Sequence, residues 1–130
     1  VTPLAARLAA RFWPGPLTLV LEAAPGLAPE ITAGAGTVAV RVPGSEVARE
    51  LSRLAGGPLI STSANLSGGP PPARAEALDP ALRARLDLVL DAGPTPGGLA
   101  STLADVTGAA PRQVRAGAVP WAEILAAAGG

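Results

Sequence analysis

Proline and glycine interrupt this chain so often that no helix or strand can run far. With 15 prolines and 16 glycines among 130 residues, breaks fall at Pro14, Pro43-Gly44, Gly56-Gly57, Pro70-Pro71-Pro72 and throughout 92–100. Each proline removes a backbone N–H donor, and each glycine admits turn conformations that other residues resist. The segments between them are therefore short. Thr2 before Pro3 reads as an N-cap with proline in the first helical turn, and Leu4, Leu8 and Phe12 recur at helical spacing up to the stop at Pro14.

The same rules predict a strand over 17–22, a Pro/Gly-rich surface loop with one helical turn over 24–36, and a strand over 37–42 ended by Pro43-Gly44. Ser45 caps an amphipathic helix marked by Val47, Leu51 and Leu54, which stops at Gly56-Gly57. A short buried strand over 58–60 follows, then a helical turn over 75–78, a short helix over 80–86 and a strand over 88–91. Residues 102–106 and 112–115 read as a hairpin around Thr107-Gly108. Pro120 opens a last helix through about Ala127, with Ile124 and Leu125 on its inner side. Helices interspersed with strands, some of them adjacent in sequence, predict an α/β fold: a mixed sheet flanked by helices.

A chain of this length, 48% hydrophobic, fits a single domain over 1–130. Phe12, Trp13 and Trp121 are its sole aromatics, so Leu, Val, Ile and Ala must build the core. Formal charge is zero, so no global basic field draws the chain to nucleic acid or an anionic membrane, and any tRNA contact needs a local arginine patch. Without cysteine there is no disulfide framework or thiolate nucleophile, and the lack of histidine as well disfavours a zinc site. No apolar stretch approaches a membrane span, and the start lacks the pattern of a secretory signal; the expected compartment is the cytoplasm.

Chemistry is concentrated where apolar runs end. Pro58-Leu59-Ile60 is followed by Ser61-Thr62-Ser63-Ala64-Asn65-Leu66-Ser67-Gly68, a series of hydroxyls, an amide and a glycine that suits an anionic or amide-rich ligand. Asn65 could equally serve as a turn residue that holds this loop together. Thr37-Val38-Ala39-Val40-Arg41-Val42-Pro43 and Ser101-Thr102-Leu103-Ala104-Asp105 repeat the arrangement of hydroxyls and a charge around apolar residues. A cation inside the run 38–42 requires a partner if buried: a ligand carboxylate, or an acid such as Glu22 or Asp105. Gly34-Ala35-Gly36 does not complete a dinucleotide fingerprint, and Gly97-Gly98 precedes no P-loop lysine.

Five segments, in order, resemble the threonylcarbamoyl-AMP synthases with the YrdC-like domain. They are Phe12-Trp13-Pro14-Gly15-Pro16-Leu17-Thr18-Leu19-Val20-Leu21, residues 37–43, residues 60–68, Asp91-Ala92-Gly93 with 97–105, and Val114-Arg115-Ala116-Gly117-Ala118. The resemblance implies a twisted α/β sheet with a concave ligand groove, and a reaction that joins L-threonine, bicarbonate and ATP while releasing pyrophosphate. It places Arg41, Ser61 and Ser101 at L-threonine, and Thr37, Ser63, Asn65 and Arg115 at ATP. Thr102 and Asp105 are expected to be structural. ATP is a substrate that arrives with Mg²⁺ on its phosphates, so no dedicated protein metal site and no protein-bound cofactor are implied, and no residue stands out as a general base.

The product would serve threonylcarbamoyladenosine modification of tRNA through downstream transfer proteins, with tRNA or double-stranded RNA as a further partner. The alternative is a noncatalytic module that uses the same fold to bind RNA or a nucleotide. Members of the family carry an additional N-terminal stretch with a Thr-rich strand and a Lys-x-Arg motif, and a histidine soon after Arg-Val-Pro. This chain has no lysine or histidine, reads Pro43-Gly44-Ser45, and has Pro70-Pro71-Pro72 where some members place a serine. The expectation is a domain incomplete at its N-terminal side, with little synthase turnover by itself.

Overall fold

The computed structural model describes residues 1–32 and 34–130; Ala33, inside the expected 24–36 loop, lies outside the described residues. In chain order the elements are α1 (Pro3–Phe12), β1 (Leu17–Glu22), α2 (Pro29–Thr32), β2 (Thr37–Val40), α3 (Glu46–Leu54), a 3-10 turn (Ala75–Ala77), α4 (Pro80–Arg83), β3 (Thr102–Asp105), β4 (Arg112–Arg115) and α5 (Trp121–Ala128). The contacts divide the chain into two compact units, one of Val1–Gly57 with Leu99–Gly130, the other Pro58–Gly98.

The first unit holds a four-stranded mixed sheet in the order β2-β1-β3-β4. β1 pairs antiparallel with β2, with Leu19 opposite Val40 and Glu22 opposite Thr37, and parallel with β3, with Leu17 opposite Thr102 and Val20 opposite Asp105. β3 and β4 close the expected hairpin. As the capping signals require, Thr2 Oγ1 accepts from the Ala5 N–H at 3.1 Å at the start of α1, and Ser45 Oγ accepts from the Ala48 N–H at 3.3 Å at the start of α3.

The core lies on one side of this sheet. Leu4, Ala5 and Leu8 of α1 meet Leu17 and Leu19 of β1, Ala104 of β3, Val106, Val119 and Ile124 of α5, with Trp13 and Trp121 packed at the margin. These are the aliphatic residue types the composition requires. Thr102 is fully buried among them because its hydroxyl donates to Val119 O at 2.7 Å and accepts from Val119 N–H at 3.0 Å, a structural role as expected. Leu125, expected to face inward beside Ile124, is instead 49% exposed. Neighbouring helical positions point about 100° apart, and of this pair it is Ile124 that is aimed at the core.

The helix α3 forms as predicted, but its apolar positions Val47, Leu51 and Leu54 are exposed. In the second unit the 3-10 turn and α4 match the expected helical turns, with α4 shorter than predicted. Asp79 Oδ1 accepts from Ala81 N–H at 2.7 Å and Leu82 N–H at 3.4 Å to cap α4. The strands expected over 58–60 and 88–91 are not formed. Leu59, Ile60, Leu88 and Leu90 are exposed rather than buried. A strand exists only by pairing its backbone with a neighbour, and among the described residues these two runs have no ladder.

Candidate functional site

Because Leu17 and Leu19 point into the core, Thr18, Val20 and Glu22 project from the opposite, open face of the sheet. The ladders carry this face across all four strands. Val20 stands opposite Ala39 on β2 and Asp105 on β3, Thr18 opposite Leu103, and Leu103 opposite Arg115 on β4. Arg112 stands opposite Asp105, and a register shift between Leu103 and Ala104 lets both Arg112 and Arg115 reach the open face despite their odd spacing.

Ser101, just before β3, is 9% exposed and is the centre of a polar cluster. Its Oγ lies 2.8 Å from Thr18 Oγ1 and accepts from Arg115 Nη2 at 3.1 Å, while its carbonyl oxygen accepts from Arg115 Nε at 3.2 Å and Nη2 at 2.8 Å. Ser101 and Arg115, far apart in sequence, are thus brought together. Gly117 permits this approach, since a Cβ there would collide with the backbone of Ala100, Ser101 and Thr102. The rest of the Arg115 guanidinium remains turned outward in an exposed residue.

Arg41 follows the last residue of β2. It is exposed, outside the ladder, and belongs to none of the ion pairs among the described residues. The strand expected over 37–42 is therefore shorter: β2 ends before Arg41, which is exposed, so its charge stays solvated and needs no buried partner. Neither Glu22 nor Asp105 pairs with it. Asp105 is instead taken by Arg112 at 2.7 Å and by Thr107, whose N–H and hydroxyl donate to it at 3.0 and 2.7 Å. The Thr107 hydrogen bonds first, then that from Arg112, hold the Asp105 carboxyl below its ordinary range.

Arg41 lines an open depression of about 390 Å³ with Val42, Pro43, Arg49, Ser52, Arg53 and Gly57. Arg49 of α3 donates through Nη1 to Pro43 O at 2.8 Å and Gly44 O at 2.7 Å, tying the helix to the segment that follows Arg41. Gly15 N–H donates to Val42 O at 2.9 Å from the other side. Arg53 is held in a two-pronged pair by Glu50 at 2.8 and 2.6 Å. Of the three guanidinium groups around this depression, Arg41 alone has no partner among the described residues. Thr37 occupies the opposite end of β2, four residues and about 13 Å of strand away from Arg41.

In the second unit, Ser61 and Ser63 are exposed. Asn65 has the loop-holding role: its Nδ2 donates to Leu66 O at 2.9 Å and Gly69 O at 2.8 Å, while its Oδ1 is enclosed without a partner. Gly68, at φ +83°, makes the turn that brings Gly69 back. Two polar residues of the first unit were not singled out from sequence. Thr18 is recognisable only as the polar position alternating with Leu17 and Leu19, and Arg49 has no local signal, because its carbonyl partners are set by where α3 starts.

Comparison with known proteins fits this architecture. The Sua5/YciO/YrdC family model, described as telomere recombination, matches residues 1–117. Threonylcarbamoyl-AMP synthase of Pyrococcus abyssi is 42% identical over 117 residues, which are 90% of this chain and 34% of the relative. That of Bacillus subtilis is 42% identical over 120 residues, 92% of this chain and 35% of the relative. The chain thus spans about a third of the length of these relatives. Among solved structures, P. abyssi Sua5 complexed with L-threonine superimposes with a TM-score of 0.90 at 39% identity, covering 98% of this chain and 37% of that one. Escherichia coli YciO gives 0.71 at 27% identity, covering 96% and 61%. The mixed sheet, the helices packed on it and the residues matched along nearly the whole sequence place this chain in the Sua5/YciO/YrdC family.

Proposed function

We propose that the protein is an L-threonylcarbamoyladenylate synthase, which joins L-threonine, bicarbonate and ATP into threonylcarbamoyl-AMP and releases pyrophosphate. The observation that carries this reading is the correspondence, at 39% identity over 98% of the chain, with an archaeal structure solved with L-threonine. The names of the two synthase relatives, each 42% identical, agree with it. Arg41 supplies a charge-assisted donor pair to the threonine carboxylate, a task that suits an exposed guanidinium with no acid of its own. Ser61 and Ser101 contact L-threonine. Thr37, Ser63 and Arg115 serve ATP, with Asn65 shaping the loop that carries Ser63, and the outward part of the Arg115 guanidinium is a phosphate donor.

Such a site works by positioning and charge stabilisation of the reacting anions. Mg²⁺ arrives with the ATP phosphates, and the protein needs no bound cofactor of its own. The product feeds threonylcarbamoyladenosine formation on tRNA through downstream transfer proteins, in the cytoplasm, with tRNA or double-stranded RNA as a direct contact.

Pyrophosphate release in the presence of L-threonine, bicarbonate and ATP tests this reading. Release that depends on all three substrates supports it. Binding of ATP or RNA by the protein without any release overturns it in favour of a noncatalytic module.

A further inference from the structure

The hydroxyl pair on the open face allows an assignment that deepens the proposed function and rests on it. We propose that Thr18 is a positioning residue that sets the direction of the Ser101 hydroxyl toward the carboxylate of the bound amino acid.

The argument is a count of protons. A serine hydroxyl has one proton and two acceptor positions. One acceptor position of Ser101 Oγ is taken by Arg115 Nη2 at 3.1 Å, and Thr18 Oγ1 stands at 2.8 Å. One proton lies between the two hydroxyls. If it belongs to Thr18, both acceptor positions of Ser101 are filled and its own O–H must point elsewhere. If it belongs to Ser101, the Thr18 proton is the one left over. In both arrangements the pair offers a single outward O–H donor, and donation from the charged Arg115 strengthens it through the chain of hydrogen bonds. An anionic oxygen in front of Ser101 selects the first arrangement.

The location agrees with the chemistry. β1 is an inner strand, and Thr18 stands opposite Leu103 of β3, just before which Ser101 sits. The β1–β2 ladder ends with Leu19 opposite Val40, so Thr18 lies just past its end, toward β3. Thr18, the Ser101 hydroxyl and the Arg115 guanidinium therefore flank one patch of the open face, to which the leftover O–H of the pair and the guanidinium N–H groups are donors. A carboxylate fits it; an ammonium group does not.

Calorimetry with L-threonine on the 1–130 chain and its variants tests the assignment. T18V keeps the branched shape and removes the hydroxyl, and is expected to weaken L-threonine binding roughly five- to tenfold, the scale of one hydrogen bond, while T18S restores affinity to within about twofold. Thermal unfolding separates loss of the fold from loss of the donor, and T18A replaces T18V if the latter does not fold. T18V that binds as tightly as the unaltered chain overturns the proposal and leaves the Thr18–Ser101 bond a pin between β1 and β3. Unchanged affinity in S101A, or no heat of binding from the unaltered chain, overturns the functional reading of this face instead, and the assignment with it.

Discussion

Arg112 and Arg115 are three residues apart on β4, yet both reach the same face of the sheet, one against the Asp105 carboxylate at 2.7 Å and the other against Ser101 O at 2.8 Å. Regular alternation would send them to opposite faces. The shift that places Leu103 opposite Arg115 but Ala104 opposite Gln113 removes that parity. Its consequence is a division of labour: Arg112 neutralises Asp105, and Arg115, without a carboxylate partner among the described residues, stands beside the Ser101 hydroxyl.

Arg41 is exposed and outside the ion pairs described, so removing it should leave the fold nearly intact. Arg41→Ala is expected to weaken L-threonine binding by about 1.5–3 kcal/mol, the range for a hydrogen bond to a charged group. Calorimetry together with thermal unfolding checks this. Unchanged affinity with a collapsed melting temperature would assign Arg41 to the fold.

The tight approach of Gly117 to Ala100, Ser101 and Thr102 predicts that Gly117→Ala destabilises the first unit by about 1–3 kcal/mol, the usual cost of forcing an atom into packed backbone. Gly44 has open space around its Cβ position, and Gly44→Ala should stay within about 0.5 kcal/mol of the unaltered chain. Urea unfolding of the two variants makes the comparison; equal effects would mean that the backbone at Gly117 yields freely.

Asp105 predicts a pH dependence. Hydrogen bonds from Thr107 and then Arg112 lower its carboxyl pKa in the folded chain. The stability it contributes is therefore fully present above the ordinary carboxylate range and is lost as pH falls through the lower, folded value, because the unfolded chain takes up the proton more readily. Arg112→Ala removes one of the donors and should shift this loss to higher pH, while Asp105→Asn should flatten it. Urea midpoints measured across the acid range read the effect, and identical profiles for all three chains would refute it.

Asn65 closes its loop through two donated hydrogen bonds. Asn65→Ala is expected to loosen residues 65–69 by on the order of 1 kcal/mol. Amide exchange reports it at Gly69, whose N–H donates to Leu66 O at 2.9 Å. No change in exchange at Gly69 would show that the Gly68 turn holds the loop without the side chain.

Local chemistry was legible in the residues themselves. The caps at Thr2 and Ser45, the stop at Pro14, the alternation of Leu17, Thr18 and Leu19 and the hairpin after Asp105 depend on neighbours within a few positions, so pattern reveals them, and the mixed α/β class follows. Pairing does not obey the same limit. Residues 58–60 and 88–91 have strand-like composition and remain unpaired, because a ladder needs a second backbone that no local run specifies. Tertiary structure alone decided that Arg41 stays solvated while Asp105 goes to Arg112, that a register shift turns Arg115 toward Ser101, and that Thr18 on the inner strand shares its hydrogen bond with Ser101 across 83 positions of chain. Each of these is set by distance and direction between strands, and the order of residues along the chain contains neither until the sheet is assembled.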